Sequence, residues 1–576
     1  MNRLRSVLPE GSPRWAARLA HWRALGLDED ALVKPKIAVV NSSSELAVCY
    51  SHLDQVAARV KAAIRAAGGV PFEIRTVAPS DFITSVGAAG GYILSARDLI
   101  AFDIEVMVEG AMLDGMICLS SCDKTLPGHL IAAARLDIPT LILPCGYQPH
   151  GQCCGEPVDL EQIFIRASHY QIDPDPNLLA WIRCCAPRSV EGPGVCTGLG
   201  TANTMHMVAE ALGMACFGTT PVQALSERFW AAADRAGARI VELVRDDLRP
   251  SRLLTPAALR NAVTLLLAIG GSLNAVKHLQ AVAEAGGLAV DVFALLDDLY
   301  DRVPLLVEVR PNGTTSIEEL ERAGGTAACL HELRPLLDLA CPTVEGVPLG
   351  ALLDRATAGD RSVIGGLQQP KRSRSTLMPI AGSLAPRGAL VRSTAWVQER
   401  SERRFLGRAM VFERQADVLA ALQAQRIPPD TAIVLRGIGP RGQPGMGMAG
   451  TAALALGSSP LVDRCVLITD GQISGLINRG LVVAEVTPEA VDDASPLGRV
   501  QNGDLVAIDL DRRRIDLLVD PAVLWQREPY RSATPTPRGW LGVYAALVRD
   551  VRQGAIVEAV SRRARNTEQA IESIDS

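Results

Sequence analysis

The sequence predicts an α/β protein: an N-terminal doubly wound parallel-sheet domain that runs on into a helical extension, and a smaller β-rich C-terminal domain. Three observations carry this reading. The chain has 576 residues, more than one ordinary hydrophobic core accommodates. From about residue 36, short β-rich runs alternate with amphipathic helical patterns. Beyond about residue 378, short apolar runs separated by turn residues replace that alternation.

Taken in order, "KPKIAVVNSSS" reads as strand then loop, and "SHLDQVAARVKAAIRAAGG" as an amphipathic helix closed by Gly68 and Gly69. "VPFEIRTVAP" is a strand, "SARDLIAFDIEVMVEG" a helix and "LDGMICLSS" a strand. "PGHLIAAARLD" predicts a helix that begins just after a proline, and "IPTLILPCG" the next strand. Such a βαβ rhythm calls for a largely parallel sheet whose ligands gather at the carboxyl ends of its strands. The loops after "KIAVV" and "MICLSS" lie there. From about 200 to 355 the pattern is mostly helical, and "AGDRSVIGGLQQPKRSRST" then loses its periodicity. The expected division is residues 1–360, a linker at 361–377, and a second domain at 378–576.

The hydrophobic fraction of 48% and charged fraction of 21% are those of a globular protein. A formal net charge of −5 gives no electrostatic case for nucleic acid or an anionic membrane surface, so small molecules and further copies of the chain are the expected partners. The N-terminal stretch has no continuous apolar segment of signal-peptide type. The most apolar window, "AVTLLLAIGGSLNAV", breaks at Gly270 and Gly271. A cytoplasmic location is expected. No G-x-G-x-x-G follows the first strand, which counts against a dinucleotide-binding protein.

Thirteen cysteines, an odd count with no C-x-x-C, do not suggest a disulfide framework, a zinc ribbon or a two-cluster ferredoxin. Cys118, Cys145, Cys216, Cys329, Cys341 and Cys465 sit in apolar surroundings and read as small core residues. Three others lie in strand-to-helix loops: Cys49 in "NSSSELAVCYSHL", Cys122 in "SCDKT", and Cys196 in "GPGVCTGLGTANTM", whose glycines allow close backbone approach. On spacing alone, a shared metal site and three unrelated loop cysteines both stay open. The adjacent pairs Cys153–Cys154 and Cys184–Cys185 are rival ligands.

Together "NSSSELAVCYSHL", "SCDKTLPGHLIAAARLDIP", "GVCTGLGTANTM" and "TDGQISG…RG…VTPEA", in this order over about residues 36–520, resemble the dihydroxy-acid dehydratase/6-phosphogluconate dehydratase family. The resemblance implies a barrel-like, swivelling second domain and a homodimer or homotetramer. It also implies an iron–sulfur cluster held by Cys49, Cys122 and Cys196, with one iron lacking a protein ligand. The surroundings of Cys122 and Cys196 resemble the branch that uses [2Fe–2S]; the phosphogluconate branch uses [4Fe–4S]. Beside the cluster the resemblance places Mg²⁺ on Asp81, Asp123 and a carbamylated Lys124. A carbamate turns an ammonium into the hard oxygen ligand that Mg²⁺ requires; a plain lysine paired with Asp123 is the alternative. Ser474, in "DGQISGL", takes the place of the family's base, and a simple Ser-Gly turn is the alternative there.

The implied activity is that of a hydro-lyase converting a 2,3-dihydroxy carboxylate to a 2-keto acid, as in branched-chain amino-acid biosynthesis. A sugar-acid dehydratase is the alternative, because Gly200 stands where the branched-chain enzyme often has tyrosine. Other departures touch the site. Met448, in "RGQPGMGMAG", occupies the place of a Mg²⁺-binding glutamate, and a thioether is a poor ligand for a hard cation. Tyr50 replaces an asparagine, and Glu485 stands where histidine is frequent. A specialised or catalytically altered homologue with an incomplete Mg²⁺ site is therefore a further alternative. Asn274 and His278, one helical turn apart, share a helix face that borders the substrate in relatives.

Overall fold

The computed structural model describes residues 4–86, 90–393, 397, 399, 403–477, 479–532 and 537–557; positions 1–3 and 558–576 of the two expected domains lie outside these. A first helix, α1 (Pro13–Ala24), is capped by Ser12 and precedes the sheet. Strand β1 (Lys36–Asn41) is buried along its whole length, as a central parallel strand covered on both faces must be. α2 (Leu53–Ala66) buries Leu53, Val56, Ala57, Val60 and Ile64, one stripe at helical spacing. β2 (Val70–Arg75), α3 (Gly91–Gly110), β3 (Gly115–Ser120), α4 (Cys122–Leu136) and β4 (Thr140–Pro144) complete the unit. The four strands are ordered β2-β1-β3-β4 and all parallel, with Lys36 opposite Val70 and Ile37 opposite Gly115.

One boundary departs from expectation. The helix after β3 starts at Cys122, five residues before Pro127, and carries that proline inside it. Pro127 is the sixth helical residue; it removes one intrahelical hydrogen bond and crowds the carbonyl four residues back, yet the helix runs on through it to Leu136. Cys122, Asp123 and Lys124 are consequently the first turn of α4 and not a free loop.

After β4 comes a small lobe: a hairpin of β5 (Gly151–Cys153) and β6 (Glu156–Val158), then α5 (Leu160–Ile172) and α6 (Pro176–Cys185). Its core of Cys153, Val158, Ile163 and Cys185 is separate from the main one. Here the expectation of no disulfide is corrected. The hairpin packs on the end of α6, and Cys153 is bonded to Cys185. The helical extension includes α7 (Thr201–Ala211) and α8 (Glu227–Asp246), the latter packed on α2. The six cysteines read as core residues are all buried.

The C-terminal sheet has eight strands: β7 (Leu377–Ile380), β8 (Ala389–Arg392), β9 (Arg404–Phe412), β10 (Thr431–Leu435), β11 (Val466–Thr469), β12 (Leu481–Ala484), β13 (Leu505–Asp509) and β14 (Arg514–Leu517). Their order is β14-β13-β9-β10-β11-β12-β8-β7, with β9 to β12 parallel and the flanking pairs antiparallel. Helices Gln415–Gln423 and Gly450–Ser458 make two of the crossovers that parallel neighbours need. The outer edges meet, since Ala381 N–H donates to the Arg513 carbonyl and Ile515 N–H to the Ala381 carbonyl. The sheet is thus a nearly closed barrel.

Candidate active site

A cavity of about 490 Å³ lies between the two domains. Cys122, Asp123 and Cys196 line it from the first domain, and Met448 and Ser474 from the second. Asp81 joins them from the loop after β2. Cys49 sits on a buried turn just after β1, against Cys122. Every residue expected at the site is therefore in one place.

Backbone and side-chain ties explain how these distant loops converge. Ser121 Oγ donates to the Cys49 carbonyl at 2.5 Å, joining the loops of the first two cysteines. Tyr50, fully buried, donates its hydroxyl to the Pro79 carbonyl at 2.6 Å and so fixes the segment that carries Asp81. Asn203 donates to the carbonyls of Cys196 at 2.7 Å and Gly198 at 2.9 Å. Gly198 admits no side chain: a Cβ there would lie 2.2 Å from Glu161 Oε2.

The second domain presents Ser474 on the loop after β11. Asp470, buried in the same "TDG" segment, accepts from the backbone N–H groups of Gly437, Ile438 and Ala490 at 2.9 to 3.1 Å. One carboxylate thereby gathers the loops beyond β10, β11 and β12. Ser474 Oγ accepts from the Leu476 N–H at 3.1 Å. Asn274 donates to the Ile473 carbonyl at 3.2 Å, and a Cβ on Gly475 would lie 3.3 Å from Gly200 Cα. The serine loop is pressed directly on the first domain. A Cβ on Gly450 would meet Ser474 Cβ at 3.3 Å and Met448 Cε at 3.7 Å, which puts the thioether in the serine's corner of the cavity.

Charges at the site are arranged around Lys124. Its ammonium lies 3.0 Å from Asp81 Oδ2 and 3.9 Å from Asp123 Oδ2. Burial alone would favour the neutral amine, but the two carboxylates hold the Lys124 pKa above its ordinary value. Burial, then the proximity of Asp81, pushes Asp123 up to about 7. The Cys49 thiol is pushed far up by its hydrogen bond with Cys122 and by burial. Cys196 is raised by burial, then by Cys122 and Asp123. Cys122 raises both Cys49 and Cys196, and with a buried Asp81 Oδ1 that has no hydrogen-bond partner the three thiols form a donor set of soft sulfur beside hard oxygen. It fits a thiolate-bound iron–sulfur group beside an oxygen-bound divalent cation.

Two features behind the site were not legible from the sequence. Lys277 and Glu485 form a fully buried ion pair at 2.6 Å, and Lys277 also donates to the Asn274 side chain. The residue in the histidine's place thus has a local partner. His278 is fully buried against Arg97 at 3.2 Å, so of the pair on that helix face Asn274 borders the cavity and His278 packs. The rival pairs Cys153–Cys154 and Cys184–Cys185 do not line the cavity.

Two adjoining matches decide the family. Residues 34–352 match the dihydroxy-acid/6-phosphogluconate dehydratase N-terminal domain, and residues 362–555 match the C-terminal domain. The chain belongs to that family. It is a dehydratase, a hydro-lyase, and its relatives cover it nearly end to end. A dihydroxy-acid dehydratase of Ignicoccus hospitalis is 38% identical over 95% of this chain and 98% of its own length. One from Methanothrix thermoacetophila is 35% identical over 96% and 100%, and one from Pyrococcus abyssi 36% identical over 96% and 99%. The family generally uses an iron–sulfur cluster and Mg²⁺ and acts on small hydroxy acids. Among the described residues no helix is long and apolar enough to cross a membrane.

Proposed function

We propose that the protein dehydrates a branched-chain 2,3-dihydroxy carboxylate to the 2-keto acid, as a homodimer or homotetramer in the cytoplasm. The observation that carries this reading is the convergence of Cys122, Cys196, Asp81, Asp123 and Ser474 on one cavity between the domains. Cys49, Cys122 and Cys196 would hold the cluster, [2Fe–2S] in preference to [4Fe–4S], and Asp81, Asp123 and a carbamylated Lys124 the Mg²⁺. When bound, these groups supply Lewis acidity toward the substrate's carboxylate and hydroxyls.

The chain's own residues do the rest. Ser474 Oγ takes the C2 proton; the Leu476 N–H that it accepts stabilises the negative charge this base needs. The C3 hydroxyl leaves as water, and the enol so formed becomes the 2-keto acid without net redox change. With no side chain on Gly475, the serine loop packs directly on Gly200 of the first domain. Apolar side chains of Phe82, Ile93, Phe164, Ile438 and Leu476 face the cavity, which suits an alkyl tail better than a polyhydroxylated chain.

One observation favours a second reading, an altered homologue with weak Mg²⁺ binding: Met448 offers sulfur where a hard cation wants oxygen. The test is anaerobic purification, iron and sulfide quantitation, and keto-acid formation from branched-chain dihydroxy acids and sugar acids with Mg²⁺. Faster turnover of a branched-chain substrate is expected. A chain free of iron after anaerobic reconstitution, or a preference for sugar acids, overturns the proposal. If iron-loaded protein is inert and Met448→Glu restores turnover, the second reading holds.

A further inference from the structure

We propose that in the reduced chain Cys153, Cys154, Cys184 and Cys185 form a tetrathiolate site for one Zn²⁺ ion, on the lobe beside the dehydratase cavity. All four sulfurs lie within 4.8 Å of one another. Cys153 Sγ is 3.8 Å from Cys154 Sγ and 4.0 Å from Cys184 Sγ. A tetrahedral zinc with sulfurs about 2.3 Å away separates them by roughly 3.8 Å. An iron–sulfur cluster would hold its thiolates further apart, because irons and sulfides stand between them. The spacing selects a single ion.

The four sulfurs come from two elements, and neither the lobe's core nor its disulfide accounts for Cys154 and Cys184. Cys153 and Cys154 close the β5–β6 hairpin, and Cys184 and Cys185 end α6. Cys154 and Gly155 both have positive φ, 55° and 83°, in a two-residue hairpin turn. Asparagine or aspartate usually takes the first of those places, since a side chain there is strained. A helix end of negative polarity disfavours thiolates at Cys184 and Cys185. Arg188 answers this, donating an N–H to Cys184 Sγ at 3.6 Å and another to the Cys184 carbonyl.

The Cys153–Cys185 disulfide engages only two of the four and leaves Cys154 and Cys184 as exposed thiols at its side. It is the oxidised, metal-free form of the site. A dithiol reductant passes two electrons and two protons to it, giving two thiols and its own disulfide. Zn²⁺ then displaces four thiol protons and binds four thiolates. The consequence for the lobe is direct. The ion would clasp the hairpin to α6 across α5, whose Phe164 faces the cavity and stacks edge-on against Phe82 at 5.4 Å.

The experiment uses the full chain, purified without oxygen in a dithiol reductant, with zinc and iron measured by mass spectrometry. Metal-depleted reduced protein is then titrated with Co²⁺ while thiolate-to-cobalt charge transfer and tetrahedral d–d bands are recorded. About one zinc per chain and a four-thiolate cobalt spectrum are expected. The Cys154→Ser/Cys184→Ser double variant should lose at least nine-tenths of that zinc and keep its iron. Absence of a thiolate–cobalt spectrum in the wild-type chain overturns the proposal, whether or not the variant folds. So does wild-type zinc content in the double variant, or a Cys153–Cys185 bond that survives the dithiol.

Discussion

Cys49, Cys122 and Cys196 come from two loops and one helix start far apart in the chain, whereas Cys153, Cys154, Cys184 and Cys185 come from the two ends of one lobe. In the first group Cys49 is buried, Cys122 and Cys196 line the cavity, and Cys122 makes both of the others harder to ionise. In the second group Cys154 and Cys184 are open to water, which can carry thiolate charge. A trio packed this closely in the wall of a cavity suits a cationic group that arrives among its sulfurs. A quartet with two members open to water is free to pair or to bind by itself. Identical side chains therefore serve different chemistry according to what surrounds them.

The contrast can be broken most severely at Cys122. Cys122→Ser should abolish iron binding and keto-acid formation in anaerobically reconstituted protein, while the zinc content of the lobe is unchanged; iron at wild-type level would remove the trio from the site. Next in size, Ser474→Ala should lower kcat about 10²- to 10⁴-fold, the usual reach of a proton-transfer group, with iron retained and KM little altered. Steady-state keto-acid assays check it.

Smaller effects test the same rule, that buried charge is either paired or suppressed. Lys277→Leu leaves Glu485 buried and alone and should cost about 3–5 kcal/mol in urea unfolding. Lys277→Leu/Glu485→Leu should cost distinctly less than the two single changes together. The smallest effect concerns His129, which burial pushes down to about 3. An unfolded chain takes up that proton below about pH 6.5, and the folded one only near pH 3. Stability therefore falls as pH drops through this window, by at most about 1.4 kcal/mol per pH unit for one group. His129→Gln should flatten the acid limb of stability against pH, measured by urea midpoints between pH 4 and 7.

Much of the first domain was legible because its period is simple. Ile37 to Val40 read as a covered strand, and Leu53 to Ile64 as one helical stripe, and both lie so. Pro127 looks like a boundary, but α4 begins five residues earlier and runs through it, because the packed helix outweighs the one hydrogen bond that the proline removes, a balance that no residue pattern displays. In the second domain the strands were visible, but short runs look alike whichever way they pair, so the parallel β9 to β12 core was not. The candidate site residues stand out only through motifs taken together, since no spacing links Cys49 to Ser474. Lys277 with Glu485, and Cys153 with Cys185, were hidden for a plainer reason: only the finished fold makes them neighbours.

Arg97, buried in the first domain, donates to the carbonyls of Gly554 at 2.9 Å and Ala555 at 2.7 Å, and Asp98 beside it accepts from the Val557 N–H at 2.8 Å. A growing chain contains that guanidinium and its Asp98 partner long before the ribosome makes the two carbonyls. Until residues 554–557 emerge, the first domain holds the buried Arg97–Asp98 ion pair with part of its hydrogen bonding unmade, so that part of its native packing waits on the second domain. Synthesis order and folding order are thereby uncoupled, and a nascent chain stalled in the second domain should be a client for chaperones, not an early, self-sufficient domain.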